Sequence, residues 1–246
     1  MMAHKKILVV GILAVVLVTA TITIAWLNQN RFWNQEPISY NFDAAPASLP
    51  ASVTLDLNLQ AGFVWLQFED NASLLYRVHM TTTRSTIQQD GDPSVMYADN
   101  EIDLTYTNAD VTIILGSGTN YTLEVDTSAG KIFALIGSGA HIRDLELASN
   151  IGDIELRLEN TTIFQENVTI AISSYSSHID VNATLPTSIG GSFAAFVNDV
   201  GTIYVWTPTW TQVSDNHYKT PNFGTANITV TITVHINYGT IFAGLE

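Results

Sequence analysis

The chain has 246 residues, 23 acidic side chains against nine basic ones, a net charge of −14 and no cysteine. An acid excess of this size argues against nucleic acid and against anionic lipid headgroups as partners. The lack of thiols excludes disulfides, zinc–thiolate sites and iron–sulfur clusters, so the fold must rest on burial and ladder hydrogen bonds, which this length allows.

Residues 1–27 stand apart. His4, Lys5 and Lys6 precede an uncharged run from Ile7 to Trp26 whose only polar side chains are Thr19, Thr21 and Thr23. Twenty helical residues span about 30 Å, the thickness of a bilayer core. A cleaved signal peptide is the competing reading, but the run is long and shows no small-x-small cleavage site. The expectation is one transmembrane signal-anchor helix. Its lysines keep the N-terminus in the cytoplasm and place the remainder outside. Trp26, Arg31, Phe32 and Trp33 suit the outer membrane interface. Residues 28–50, with Pro37, Asn41, Pro46 and Pro50, read as a juxtamembrane linker without a strand.

From Ser52 the pattern changes. Val53, Leu55, Leu57 and Leu59 alternate with Thr54, Asp56 and Asn58, the period-two signature of a half-buried strand. The same alternation recurs around Leu104, Val125, Leu147, Leu156 and Ile170, and it closes the chain from Ile228 to Ile236. No 3.6-residue stripe appears, so residues 51–246 are expected to be an all-β extracytoplasmic domain.

Five glycines punctuate these strands: Gly62, Gly130, Gly152, Gly201 and Gly239. Each precedes Val or Ile by two positions and follows an apolar residue by five. A glycine here supplies a positive φ or a close backbone approach where one strand turns into the next. Admitting Ser85, Ala109 and Ser177 as weaker members gives a step of 21–25 residues, then a final 38. A near-constant step predicts a β-solenoid, single-stranded and β-helix-like. The last long step is expected to hold an exposed insertion at about 207–223, removable without loss of the fold.

The segments Leu-Glu-Val-Asp-Thr-Ser-Ala-Gly-Lys-Ile at 123–132 and Leu-Glu-Leu-Ala-Ser-Asn-Ile-Gly-Asp-Ile at 145–154 carry a resemblance. They resemble the adhesin-like toastrack repeats of membrane-linked proteins of the domain-of-unknown-function 4097 type. The resemblance covers about residues 52–205. It implies a stacked β-helix-like domain tethered at the cell envelope, and it brings no catalytic residues.

Candidate chemistry is sparse. His79, His141, His178, His217 and His235 have no metal-ligand spacing; His178 with Asp180 is the best local pair, and a third ligand is missing. Glu124, Asp126, Glu146, Asp153 and Glu155 fall at corresponding repeat positions and predict an acidic ladder. A solvated face accounts for it more simply than a glycosidase pair. Neither Gly116-Ser-Gly118 nor Gly137-Ser-Gly139 forms a phosphate loop, and no cofactor is called for. Six Asn-x-Ser/Thr sequons occur, at Asn71, Asn120, Asn160, Asn167, Asn182 and Asn227; they fit either a glycosylated surface or the turn chemistry of a β protein. Trp206, Trp210 and Tyr218, in or beside the insertion, are the candidate contact residues; the simpler expectation is that such rings cover the end of the solenoid core.

The reading is a membrane-anchored, non-catalytic structural or adhesive surface module that contacts a surface glycan or envelope protein. The alternatives are an envelope sensor or regulatory subunit acting through a membrane partner, and a carbohydrate-active β-helix enzyme. The C-terminal strand, still in strand grammar at Glu246, is expected to offer an open edge for self-association.

Overall fold

Apolar alternation in so many segments must bury one face of each strand, and the chain does this by stacking bent strands. The structure, a computed structural model, describes residues 36–246; the expected membrane helix, with Phe32 and Trp33, lies outside the described residues. Among the described residues no helix is long and apolar enough to cross a membrane. The elements are β1 (Pro37–Ala44), β2 (Ser52–Phe68), β3 (Tyr76–Thr83), α1 (Arg84–Asp90), β4 (Met96–Ala98), β5 (Glu101–Leu115), β6 (Asn120–Ile136), β7 (Ile142–Ile151), β8 (Ile154–Leu158), β9 (Val168–Ala183), β10 (Gly190–Trp206), β11 (Thr211–Ser214), β12 (His217–Lys219) and β13 (Thr229–Leu245).

Seven parallel rungs form the body, in the spatial order β5, β2, β6, β7 with β8, β9, β13 and β10. Each rung is bent at its centre into two arms. Leu55, Leu57 and Leu59 from the first arm and Val64 and Leu66 from the second are fully buried, and the equivalent residues of the other rungs join them in one core. The bend is where the glycines sit. Gly62 pairs with Ala109 and with Gly130, and Gly239 with Ser177 and Gly201, so the corners form one column through the stack.

Both glycine properties are used there. Gly62, Gly130, Gly152 and Gly239 have φ between +134° and +155°, a region closed to side chains. A Cβ on any of the five would lie within 2.0 Å of the carbonyl oxygen one rung away, as Gly152 would against Gly130 at 1.7 Å. Ala109 is tolerated because it sits on the terminal rung β5 and has no positive φ. Two corners gain a further tie. Asp110 Oδ1 accepts from the Phe63 N–H at 3.1 Å, and Asp153 Oδ1 from the His178 N–H at 3.3 Å.

The winding departs from the expected solenoid. Only β6, β7–β8 and β9 stack in chain order; β5 lies outside β2, and β13 inserts between β9 and β10. The order breaks at the two longest intervals between corners, 62 to 109 and 201 to 239. Those long connections lead to an adjacent rung, β2 to β5 and β10 to β13; the skipping is done by the short loops 116–119, from β5 past β2 to β6, and 184–189, from β9 past β13 to β10. Ser85, expected to mark a rung, lies instead in α1. There Thr83 caps the helix by accepting from the Thr86 N–H, and Gly91 ends it with φ +84°. The linker expectation also fails at 37–44. Ile38, Tyr40, Phe42 and Ala44 alternate as strand β1 along β3.

The two poles of the stack are finished differently. At the β5 pole, β4 pairs with the first arm and β3, backed by β1, with the second. Tyr106 Oη donates to the Gly91 carbonyl at 2.9 Å and Thr82 Oγ1 to the Asn108 carbonyl at 2.6 Å, fastening α1 and β3 there. Tyr40 Oη donates to Asp92 at 2.6 Å, and this bond pushes the phenol up to about 12. At the β10 pole, β12 pairs with the first arm only, at Ser192 to Ala194. Among the described residues, β10 pairs beyond residue 195 with β13 alone. The open rung edge is therefore the second arm of β10, while β1 is the edge strand at the other pole. The C-terminal strand expected to supply it is paired on both sides.

Tyr121 is the largest fully buried side chain, and its Oη donates to the Leu75 carbonyl at 2.6 Å. Burial pushes this phenol above the ordinary range. An unfolded tyrosine ionises near pH 10. The folded one ionises only above that, so the contribution is complete below about pH 10 and is lost as pH rises further. Tyr121→Phe is expected to cost about 1–3 kcal/mol in denaturant titration at neutral pH, because the carbonyl loses its donor. It should also flatten the decline in stability above pH 10. A variant matching wild type in both would refute the assignment.

Candidate functional site

Because the rungs are in register, each repeat position projects as a row along the stack. The third residue after the corner points outward from the second arm. In stack order this row reads Thr112, Trp65, Phe133, Glu155, Asp180, Phe242 and Tyr204. Four of the seven are aromatic, in two pairs with carboxylates between.

The first pair is occupied. Trp65 and Phe133 lie 4.5 Å apart, and the Arg157 guanidinium sits 5.3 Å over Phe133 while binding Glu155 at 2.7 Å. Lys131 reaches the same carboxylate at 3.4 Å. This half of the row is a closed patch of rings and paired charge.

The second pair borders open space. Phe242 and Tyr204 stack at 4.8 Å, and His178 lies 5.0 Å from Phe242. Around them runs a groove of about 780 Å³ lined by His178, Asp180, Asn182, Tyr204, Trp206, Tyr218, Phe242 and Gly244, among others. The Asn182 amide donates to Asp180 Oδ1 at 2.9 Å, leaving acceptor and donor capacity facing the groove. Gly244 keeps that floor open: a Cβ there would sit 2.7 Å from Asn182 Oδ1. Trp206 is 63% exposed at the end of β10. Rings with a few convergent polar groups, in a volume between 300 and 1,000 Å³, are the usual make-up of a small-ligand site.

Of the expected contact residues, Trp206 and Tyr218 meet in this groove and Trp210 does not. Trp210 is 6% exposed and packs against Gly191 and Leu185. The segment 207–223 is consequently a structural lid on the first arm of β10, contrary to its reading as a removable loop. Tyr204, Phe242, Asp180 and Asn182 were the residues missing from the contact set. The phased repeat held the signal, since Tyr204 and Phe242 occupy the position of Trp65 and Phe133.

Of the predicted acidic ladder, only Glu124 and Glu146 are in register, and Asp56 and Asp103 extend that row. Asp103, Asp56, Glu124 and Glu146 are in register on four successive first arms, with Asp126 two residues further along. Asp153 and Glu155 belong to the other arm. Among the described residues no group of three His, Cys, Asp or Glu side chains is placed to hold a metal ion. On the first-arm face Phe196 stacks on His235 at 4.6 Å, and Tyr175 meets Tyr238 at 5.4 Å. The Asp199 carboxylate raises the Tyr238 phenol above its usual range.

The sequons divide by geometry. Asn71 Oδ1 accepts from Ser73, Asn167 Oδ1 from Thr229, and Asn120 and Asn182 donate to Gln165 and Asp180; these asparagines have structural partners. Asn160 and Asn227 are exposed, as are Asn167 and Asn182, whereas Asn71 and Asn120 are half-buried.

No protein-family model matches the chain, and no curated protein matches it. Among solved structures, it is similar to a candidate cell-adhesion protein from Clostridium sporogenes, with a TM-score of 0.66 at 17% identity over 86% of this chain and 100% of that one. It is also similar to a candidate adhesin from Bacteroides fragilis (TM-score 0.34, 12% identity, 85% of this chain and 97% of that one) and one from Parabacteroides merdae (TM-score 0.23, 8% identity, same coverage). The latter two carry no structural argument. The first shows that this chain has the all-β fold of a solved candidate cell-adhesion protein.

Proposed function

We propose that the chain is a non-catalytic adhesive module of the cell surface, anchored by its N-terminal apolar run, and that it contacts neutral glycan through the groove at the β10 pole. The observation that carries the reading is the groove itself. Tyr204, Phe242 and Trp206 offer ring surface for the C–H faces of a sugar, and Asp180 and Asn182 offer hydrogen bonds for its hydroxyls. The fold shared with a candidate cell-adhesion protein supports the surface role.

The test is retention of the full chain, in mild detergent, on an immobilised panel of neutral and acidic glycans. Asp180→Ala and Phe242→Ala are each expected to weaken binding about tenfold, about 1.4 kcal/mol. Thr112→Ala, in the same row at the far pole, should bind as wild type. Equal retention of all four proteins, or no retention on any glycan, would sink the reading.

A further inference from the structure

The second arm of β10, Thr202–Trp206, is a sheet edge with none of the usual protection. Natural edges are blunted by lysine, proline, inward charge, bulges or a covering element. Residues 200–206 read Val-Gly-Thr-Ile-Tyr-Val-Trp, with no charge and no proline. The one bulge, between Val197 and Val200, precedes this arm and leaves it straight. The opposite pole, by contrast, is covered along both arms by β3 and β4.

The core also ends unfinished here. Ile203 and Val205 take the inward positions that are fully buried in other rungs, yet they stay half-buried because nothing stacks beyond them. Val200 is 70% exposed. The Phe242–Tyr204 ring ladder stops at this edge, with Tyr204 as its last ring.

From these features we infer that the second arm of β10 docks a second copy of this chain, strand against strand. The charge distribution selects that occupant. The molecule is strongly acidic, so two copies repel over most of their surface, but β13 has no charged side chain and β10 has only Asp199. This pole is where two copies approach with least repulsion, and it offers nothing to recruit a basic partner. A two-fold axis pairs β10 with its copy antiparallel, a closed contact that ends growth at the dimer. Each Ile203 and Val205 then gains the missing rung, and the Tyr204 ring gains a neighbour.

The chain has no cysteine, so one introduced thiol reports the contact. The two-fold axis sets Tyr204, the centre of the arm, opposite its own copy, so in membranes full-length Tyr204→Cys is expected to form an oxidative cross-link at twice the chain mass. Ser39→Cys, on β1 at the other pole, should stay monomeric. In mild detergent the wild-type chain should scatter as a dimer and Thr202→Lys as a monomer with an unchanged circular-dichroism melt. Thr202 does not line the groove, so Thr202→Lys should still bind glycan, which separates this inference from the adhesive reading. A monomeric Tyr204→Cys, equal cross-linking through Ser39→Cys, cross-links to a different protein, or a Thr202→Lys chain that remains dimeric would each overturn it.

Discussion

Gly152→Ala is expected to cost about 3–5 kcal/mol of stability. The added Cβ meets the Gly130 carbonyl oxygen at 1.7 Å, and both are backbone groups held by rungs on either side. The residue also keeps φ +140°, which costs a side chain about 1–3 kcal/mol, and overpacking adds about 1–3 kcal/mol more. Against a domain stability of about 5–15 kcal/mol, that loss leaves little margin. Ala109→Gly, at the terminal corner, should cost less than about 1 kcal/mol, since only chain entropy changes. Denaturant titration of the pair decides the matter: a Gly152→Ala midpoint close to wild type would mean the corner column does not hold the arms in register.

Trp210→Ala should be nearly as damaging, at about 3–5 kcal/mol. The indole closes the core over the first arm of β10, and its Cη2 lies so close to Gly191 that a Cβ there would sit at 2.4 Å. Its Nε1 is buried without a hydrogen-bond partner. Trp210→Phe should therefore cost much less than Trp210→Ala, because no hydrogen bond is lost. The same geometry predicts that deleting 207–223 disrupts the β10 pole and changes the circular-dichroism spectrum. Unfolding curves for Trp210→Ala that overlay wild type would show the lid to be dispensable.

The sequence made the strands and corners legible because both obey local rules. Period-two alternation is set by the pleat, and Gly62, Gly130, Gly152 and Gly239 stand where a side chain would be strained. What it hid was order in space. A parallel rung accepts any neighbour with the same alternation, so nothing in β2 specifies that β5 and β6 lie on either side of it. Strand β1 was hidden by its own breakers: Pro37 and Asn41 suggested a linker, although an edge strand tolerates both, and Ile38, Tyr40 and Phe42 already alternated. The groove was half legible. Trp206 and Tyr218 stood out as aromatics near an insertion, but Asp180 and Asn182 come from β9, which lies beside Phe242 only because β13 slips in between β9 and β10. Trp210 takes the other place open to these rings, over the end of the core, and the loop sequence does not show which ring does so because its target, Gly191, is a small residue on another strand.

The central claim is that the chain leaves its ladder order, so that β10 and not the C-terminal strand forms the open pole bearing the groove. Hydrogen–deuterium exchange on the full chain at low concentration tests this most directly. Amides of 239–245 should be among the slowest, being paired with β9 and β10, while about half of those in 200–206 exchange fast, as on a one-sided edge. Slow exchange throughout 200–206 with fast exchange in 239–245 would contradict it.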